Sequence, residues 1–133
     1  MRIGINGSAL VSLGRPAGDI VAHAVAAEED GFASYWLAQL AVPDALTVLG
    51  VIGTRTATIE LGTAVVPTWS RHPLMLAGQA LTVSDLAGGR VVLGIGLAHR
   101  STVEATYHVP FERPARHMDE YLSILLPAMA HQP

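Results

Sequence analysis

Residues 59–99 constrain the fold more than any other stretch, because two apolar runs flank one helical pattern with Pro and Gly at the boundaries. Residues 59–66 are short, rich in β-branched side chains and closed by Pro67, which reads as a buried strand. Arg71-His72-Pro73 then opens a helix, since a proline in the first turn gives up an N–H that has no intrahelical partner. Leu74, Leu76, Ala77, Ala80, Leu81 and Leu86 give that helix a broad apolar face, and Gly88-Gly89 stops it. Residues 90–96 are apolar almost throughout, as expected of a parallel strand covered on both faces, and they open into a polar segment carrying His99 and Arg100. The pattern is a βαβ unit.

The same unit recurs along the chain. Residues 2–6 read as a first strand, 7–16 as a Gly- and Ser-bearing loop, and 19–30 as a crossover helix with Ile20, Val21, Ala24, Val25 and Ala27 on one side and Gly31 as its stop. Residues 33–38 are strand-like by their aromatics, and Pro43-Asp44 starts a second apolar helix running toward Arg55. After Gly96 a long polar loop is expected. A last helix follows from Arg113-Pro114, with Met118, Tyr121, Leu122, Leu125 and Leu126 inward and a break at Pro127. Strands start near positions 2, 33, 59 and 90, roughly 26 to 31 residues apart, so four βα units fill a single domain over 1–133. The fold class is α/β with a parallel sheet and right-handed crossovers, either an open doubly wound sheet or part of a (β/α) barrel.

Composition narrows the chemistry. All basic residues are Arg, which excludes a lysine Schiff base and a P-loop lysine, and the absence of Cys excludes disulfides and thiolate sites. The net charge is −3 with the arginines scattered, so no nucleic-acid footprint is expected. No apolar run approaches the roughly 18–20 residues of a membrane span. Met1-Arg2 leads straight into a strand-like run without an export signal, so a cytoplasmic location is expected.

Several residues carry two readings. Gly94 and Gly96 either let the fourth strand end tightly or line a pocket; a dinucleotide fingerprint is not expected, because the third glycine is missing. His99, just past a strand end, is a weak catalytic candidate for acid/base work or a surface loop histidine. His72 before Pro73 reads first as a residue starting a helix. His99, His108 and His117 are nine apart, which matches no helical or strand face, so no metal site is expected. Trp36 reads as a buried strand aromatic, although it and Trp69 could also wall a flat ring.

The segments Gly62-Thr63-Ala64-Val65-Val66-Pro67-Thr68, Arg71-His72-Pro73 and Gly88-Gly89-Arg90-Val91-Val92-Leu93-Gly94-Ile95-Gly96 resemble the bacterial luciferase-like oxidoreductases, the deazaflavin (F420)-dependent branch most closely. Asp30-Gly31-Phe32 before Tyr35-Trp36-Leu37, and Pro110-Phe111-Glu112-Arg113-Pro114 before Arg116-His117-Met118, extend the likeness across nearly the whole chain. The resemblance implies a TIM-type barrel, which normally takes about 250 residues, so the chain corresponds to its first half. It implies F420, with FMN as the alternative, and hydride exchange with a small organic substrate. Cofactor-facing positions implied at the strand ends are Asn6, Gln39, Ala64, Val65, Gly96 and His99. Ala64-Val65 falls where relatives often have a non-proline cis peptide beneath the flavin ring. Where many relatives have an acidic residue followed by His, this chain has Gln39-Leu40, so that acid/base role does not transfer. The second expectation is a half-barrel without catalysis of its own. Its open edges would favour a homo-oligomer or association with a complementary half.

Overall fold

The computed structural model describes residues 1–130. Its strands are β1 (Gly4–Asn6), β2 (Ser34–Leu37), β3 (Glu60–Thr63), β4 (Val66–Pro67), β5 (Val91–Val92) and β6 (Ile95–Gly96), and every pairing is parallel. The order β1-β2-β3-β5 is sequential, with β4 paired to β6 beyond it. The third and fourth strands of the sequence reading are therefore each interrupted once, at 64–65 and 93–94. The helices are α1 (Ser8–Ser12), α2 (Ala17–Glu29), α3 (Ala45–Arg55), α4 (Pro73–Leu86), α5 (Arg100–Thr102) and α6 (Pro114–Ala130). The long ones, α2, α3, α4 and α6, each follow one strand of the sheet. This is four βα units of a (β/α) barrel, with β1 at one edge.

Side-chain alternation along the strands sets the layers. Tyr35 and Leu37 of β2 are fully buried against the helices, together with Leu61 of β3 and Val66 of β4. Ile20 and Ala24 of α2, Leu49 and Ile52 of α3, Leu76 of α4 and Leu125 of α6 fill the same layer. Burial pushes the Tyr35 hydroxyl up to about 12, and that hydroxyl shares a 2.9 Å hydrogen bond with His23 Nδ1. Gly7 sits directly against it, where any Cβ would overlap the phenol. Trp36 points to the opposite face, and its ring lies on Gly62, which has no room for a side chain.

Four expectations are corrected. The loop at 7–16 contains α1, because Asn6 Oδ1 accepts from Ser8 N at 2.8 Å and Ser8 Oγ accepts from Ala38 N at 2.7 Å. The polar loop after Gly96 contains α5 and a wide helical turn over Val103–Tyr107, anchored by the fully buried Val103. The helix α6 does not break at Pro127 but continues to Ala130; Pro127 removes only the N–H that would meet Ser123, an exposed residue whose carbonyl water can reach. The apolar faces are also narrower than their patterns, since Leu74, Leu86 and Leu126 are more than half exposed.

The turn from α3 into β3 is held by two side chains of opposite charge. Glu28, near the end of α2, accepts from the N–H groups of Ala57 (3.0 Å), Thr58 (2.6 Å) and Ile59 (2.8 Å), and from the Thr58 hydroxyl (3.1 Å). Arg90, just before β5, donates to the carbonyls of Ile59 (2.6 Å), Thr56 (2.9 Å) and Gly53 (3.0 Å). Desolvation opposes charge on Glu28, yet the N–H donors of Thr58, Ile59 and Ala57 and the Thr58 hydroxyl hold its carboxyl down at about 2, from 4.5. A folded-state value below the unfolded one adds stability that is complete above pH 4.5 and is lost as the pH falls toward 2. Glu28→Gln should cost about 1–2 kcal/mol near neutrality, a range lowered for partial solvent exposure. It should also flatten the acid limb of the stability curve. Urea denaturation at a series of pH values measures both effects, and an unchanged acid limb would mean that Glu28 does not control it.

Candidate functional site

At the C-terminal ends of the strands the regular ladder gives way to side-chain and loop contacts. The Thr63 hydroxyl, buried at the end of β3, donates to Gly94 O and accepts from Gly94 N, both at 2.8 Å, and so replaces a rung of the sheet. Val66 N then donates to the same Gly94 carbonyl at 2.9 Å as β4 begins. Between these points the Ala64–Val65 peptide is cis and both residues are exposed. Ala64 N donates to Leu37 O at 2.8 Å, and Val65 O accepts from Gln39 N at 3.1 Å, so the bulge is tied to the end of β2.

Above this bulge lies a cleft of about 350 Å³. Ala64, Val65 and Pro67 form its floor and residues 38–41 one wall; Ala98, His99, Thr102, Thr106 and Tyr107 form the other. Ala98 has φ +56, the left-handed region that a residue with a Cβ seldom adopts. It turns the chain from β6 into the second wall. His99 and Tyr107 are the titratable side chains on the lining, and no arginine reaches it. A larger groove of about 430 Å³ runs along α3 and α4, but its lining, which includes Leu46, Leu74, Met75 and Val83, has no titratable group. The capacity for chemistry therefore lies with the smaller cleft. Among the described residues, no three His, Asp or Glu side chains converge as a metal site.

Of the residues singled out from sequence, Gln39, Ala64, Val65 and His99 come together in the cleft. Asn6 and Gly96 do not line it. Asn6 caps the Ser8 N–H, and Gly96 lies behind Val65, where a Cβ would stand 2.7 Å from Val65 Cγ2. Gln39 is buried and its amide is engaged: Oε1 accepts from Ala45 N (2.9 Å) and from Arg71 (3.2 Å), while Nε2 donates to Leu40 O (2.7 Å). His72 caps α4 by accepting from Leu74 N at 3.3 Å. Trp69 stacks on His117 (3.7 Å, 5°) away from the cleft, and Trp36 lies on Gly62. Burial lowers the pKa of His117, against the pull of Glu120. Sequence reasoning missed Thr102, Thr106 and Tyr107. The pairs Thr102/Thr106 and Val103/Tyr107, each four apart, were the available sign of a helical wall.

A family profile described as luciferase-like monooxygenase matches residues 2–133. The chain belongs to that family. Among luciferase-like relatives, a Mycobacterium tuberculosis protein provisionally named a coenzyme F420-dependent oxidoreductase is 37% identical over 107 residues, 80% of this chain and 31% of that one. The FMN complex of the oxygenating constituent of 3,6-diketocamphane monooxygenase from Pseudomonas putida superposes with a TM-score of 0.82 at 20% identity, covering 94% of this chain and 38% of that one. The F420-dependent tetrahydromethanopterin reductase of Methanopyrus kandleri gives 0.73 at 23% identity, covering 94% and 38%. At that identity the two solved structures establish the fold alone. The chain spans about a third of the length of the relatives it matches.

The glycines of this luciferase-like strand end separate by what faces them. A Cβ at Gly94 would overlap the Thr63 carbonyl oxygen, which is backbone, whereas one at Gly96 would meet a side-chain methyl of Val65, a residue that is 38% exposed. Gly94→Ala should therefore cost about 2–4 kcal/mol and Gly96→Ala less than about 1 kcal/mol. Urea midpoints compare the two directly, and equal costs would show that Val65 cannot yield.

Proposed function

We propose that this chain supplies the ring-holding part of an oxidoreductase site in which F420, or alternatively FMN, exchanges hydride with a small organic molecule. The observation that carries the reading is the cleft floored by the exposed Ala64–Val65 bulge at the strand ends, where barrel enzymes keep their chemistry. Relatives named for F420 and a structural neighbour in complex with FMN support it. The lining suits a flat ring with one polar edge. Its floor is Ala64, Val65 and Pro67, while hydroxyl and imidazole groups stand on the far wall. A volume of about 350 Å³ is at the small end of ligand pockets, about 300–1,000 Å³, which accommodates a ring but leaves a phosphate-bearing tail outside.

The bound cofactor supplies the hydride chemistry. The residues present bind, orient and exclude water. Ala64 and Val65 would support the ring from the cleft floor, Leu40 and Ala41 would cover it from one wall, and Thr102, Thr106 and Tyr107 would offer it hydrogen bonds from the other. His99, on the exposed rim, takes the proton-handling role toward substrate. A second reading has the chain acting only in association with a complementary half or a second copy. Ile3 and Val92 are 51% and 40% exposed, and an unpaired strand edge invites a partner. No helix among the described residues is long and apolar enough to cross a membrane, and we infer a cytoplasmic location.

Titration of the chain with FMN and with F420, followed by fluorescence, tests the reading. Thr106→Trp should fill the cleft and weaken ring binding about tenfold or more, while folding stability stays within about 0.5 kcal/mol, because position 106 is exposed. Wild-type affinity in that variant would remove the cleft from consideration.

A further inference from the structure

We infer that Arg71, which does not line the cleft, is the positioning residue that fixes one cleft wall against the floor; its consequence for ring binding rests on the function proposed above. The guanidinium is largely buried, with 16% of the side chain exposed, and it reaches three elements at once. It pairs with Asp44 Oδ1, donates to Gln39 Oε1 at 3.2 Å, and donates to Gln79 Oε1 on α4 at 3.0 Å. Two of the partners have a second task. Asp44 caps α3 through Thr47 N at 2.9 Å and the Thr47 hydroxyl at 2.7 Å, and Gln39 Oε1 also accepts from Ala45 N at 2.9 Å. The backbone of Gln39 completes the path, since its N–H donates to Val65 O at 3.1 Å. Residues 38–41 are thus placed by a buried amide whose own orientation is set by Arg71.

The fork geometry matters as well as the charge. A guanidinium presents several donors in one plane and can serve Asp44, Gln39 and Gln79 together, whereas an ammonium on a flexible stem serves a point partner. Arg71→Lys should keep the ion pair with Asp44 and lose the contacts to Gln39 and Gln79. A wall loosened by about an ångström is enough to impair a binding site built on it. Nothing in this path touches the opposite end of the sheet, where Glu28 and Arg90 act.

Amide hydrogen exchange on the 133-residue chain, with Arg71→Lys and Arg71→Met, tests the assignment. In Arg71→Lys, exchange should accelerate at Gln39 and Ala45 while Ala57, Thr58 and Ile59 keep wild-type protection and the thermal midpoint changes little. Arg71→Met should show the same local pattern more strongly. With FMN as the probe, Arg71→Lys should weaken binding about tenfold. Wild-type protection at Gln39 and Ala45 in Arg71→Lys would overturn the inference. So would loosening spread evenly to residues 57–59, or unchanged FMN affinity beside a loosened wall. If the wild-type chain binds neither FMN nor F420, the proposed function fails, and the exchange pattern still decides the role of Arg71.

Discussion

Residues 56–59 must turn from α3 into β3, and their backbone is satisfied by a carboxylate on its N–H side and a guanidinium on its carbonyl side. Glu28 and Arg90 arrive from α2 and from just before β5, so elements of all four βα units meet at one turn. Charge-assisted hydrogen bonds of this kind are stronger than neutral ones, and their geometry sets where β3 begins. From that point the register carries Leu61 beside Tyr35 and Gly62 beside Trp36. It also fixes where the strand runs out at Thr63. The position of the cleft floor therefore depends on a contact at the other end of the sheet.

The two ends of the sheet differ in what satisfies the backbone. At the start of the strands, ionised side chains hold a turn of fixed shape. At the ends, a neutral hydroxyl (Thr63) and an amide (Gln39) oriented by the Arg71 guanidinium stand in for ladder hydrogen bonds, and residues 38–41, 98, 99, 102, 106 and 107 line the cleft. Loops placed by a rigid strand layer are the usual division at this end of a barrel.

The fold was legible because its signals are local. Proline at the start of α4, glycine after α2 and near-continuous apolar strands each act within a few residues, and together they gave four units in the right order. The floor of the cleft was legible through resemblance at Ala64-Val65. What escaped depends on partners distant in the chain. Glu28 and Ile59 are 31 residues apart, as are Arg90 and Ile59, while Arg71 and Gln39 are 32 apart; no periodicity encodes such pairs. Asn6 and Gly96 sit at strand ends as expected, but being at the end of a strand does not decide which way a residue faces. The helical wall at 100–107 was hidden by its polar residues, since only Val103 is fully buried there.

The aromatic series that runs from Arg100 to α6 has an optical meaning. The Arg100 guanidinium lies 5.1 Å over Phe111, Phe111 is 5.1 Å from Trp69, and Trp69 stacks on His117 of α6. Arg100 is next to His99, so the wall that closes one side of the cleft is joined by ring contacts to an indole. The other tryptophan, Trp36, lies on the inner face of the sheet over Gly62. The molecule therefore carries two tryptophans, one joined to the loop wall and one to the strands beneath, and replacing either by Phe leaves the other as a reporter of its own region without any attached label.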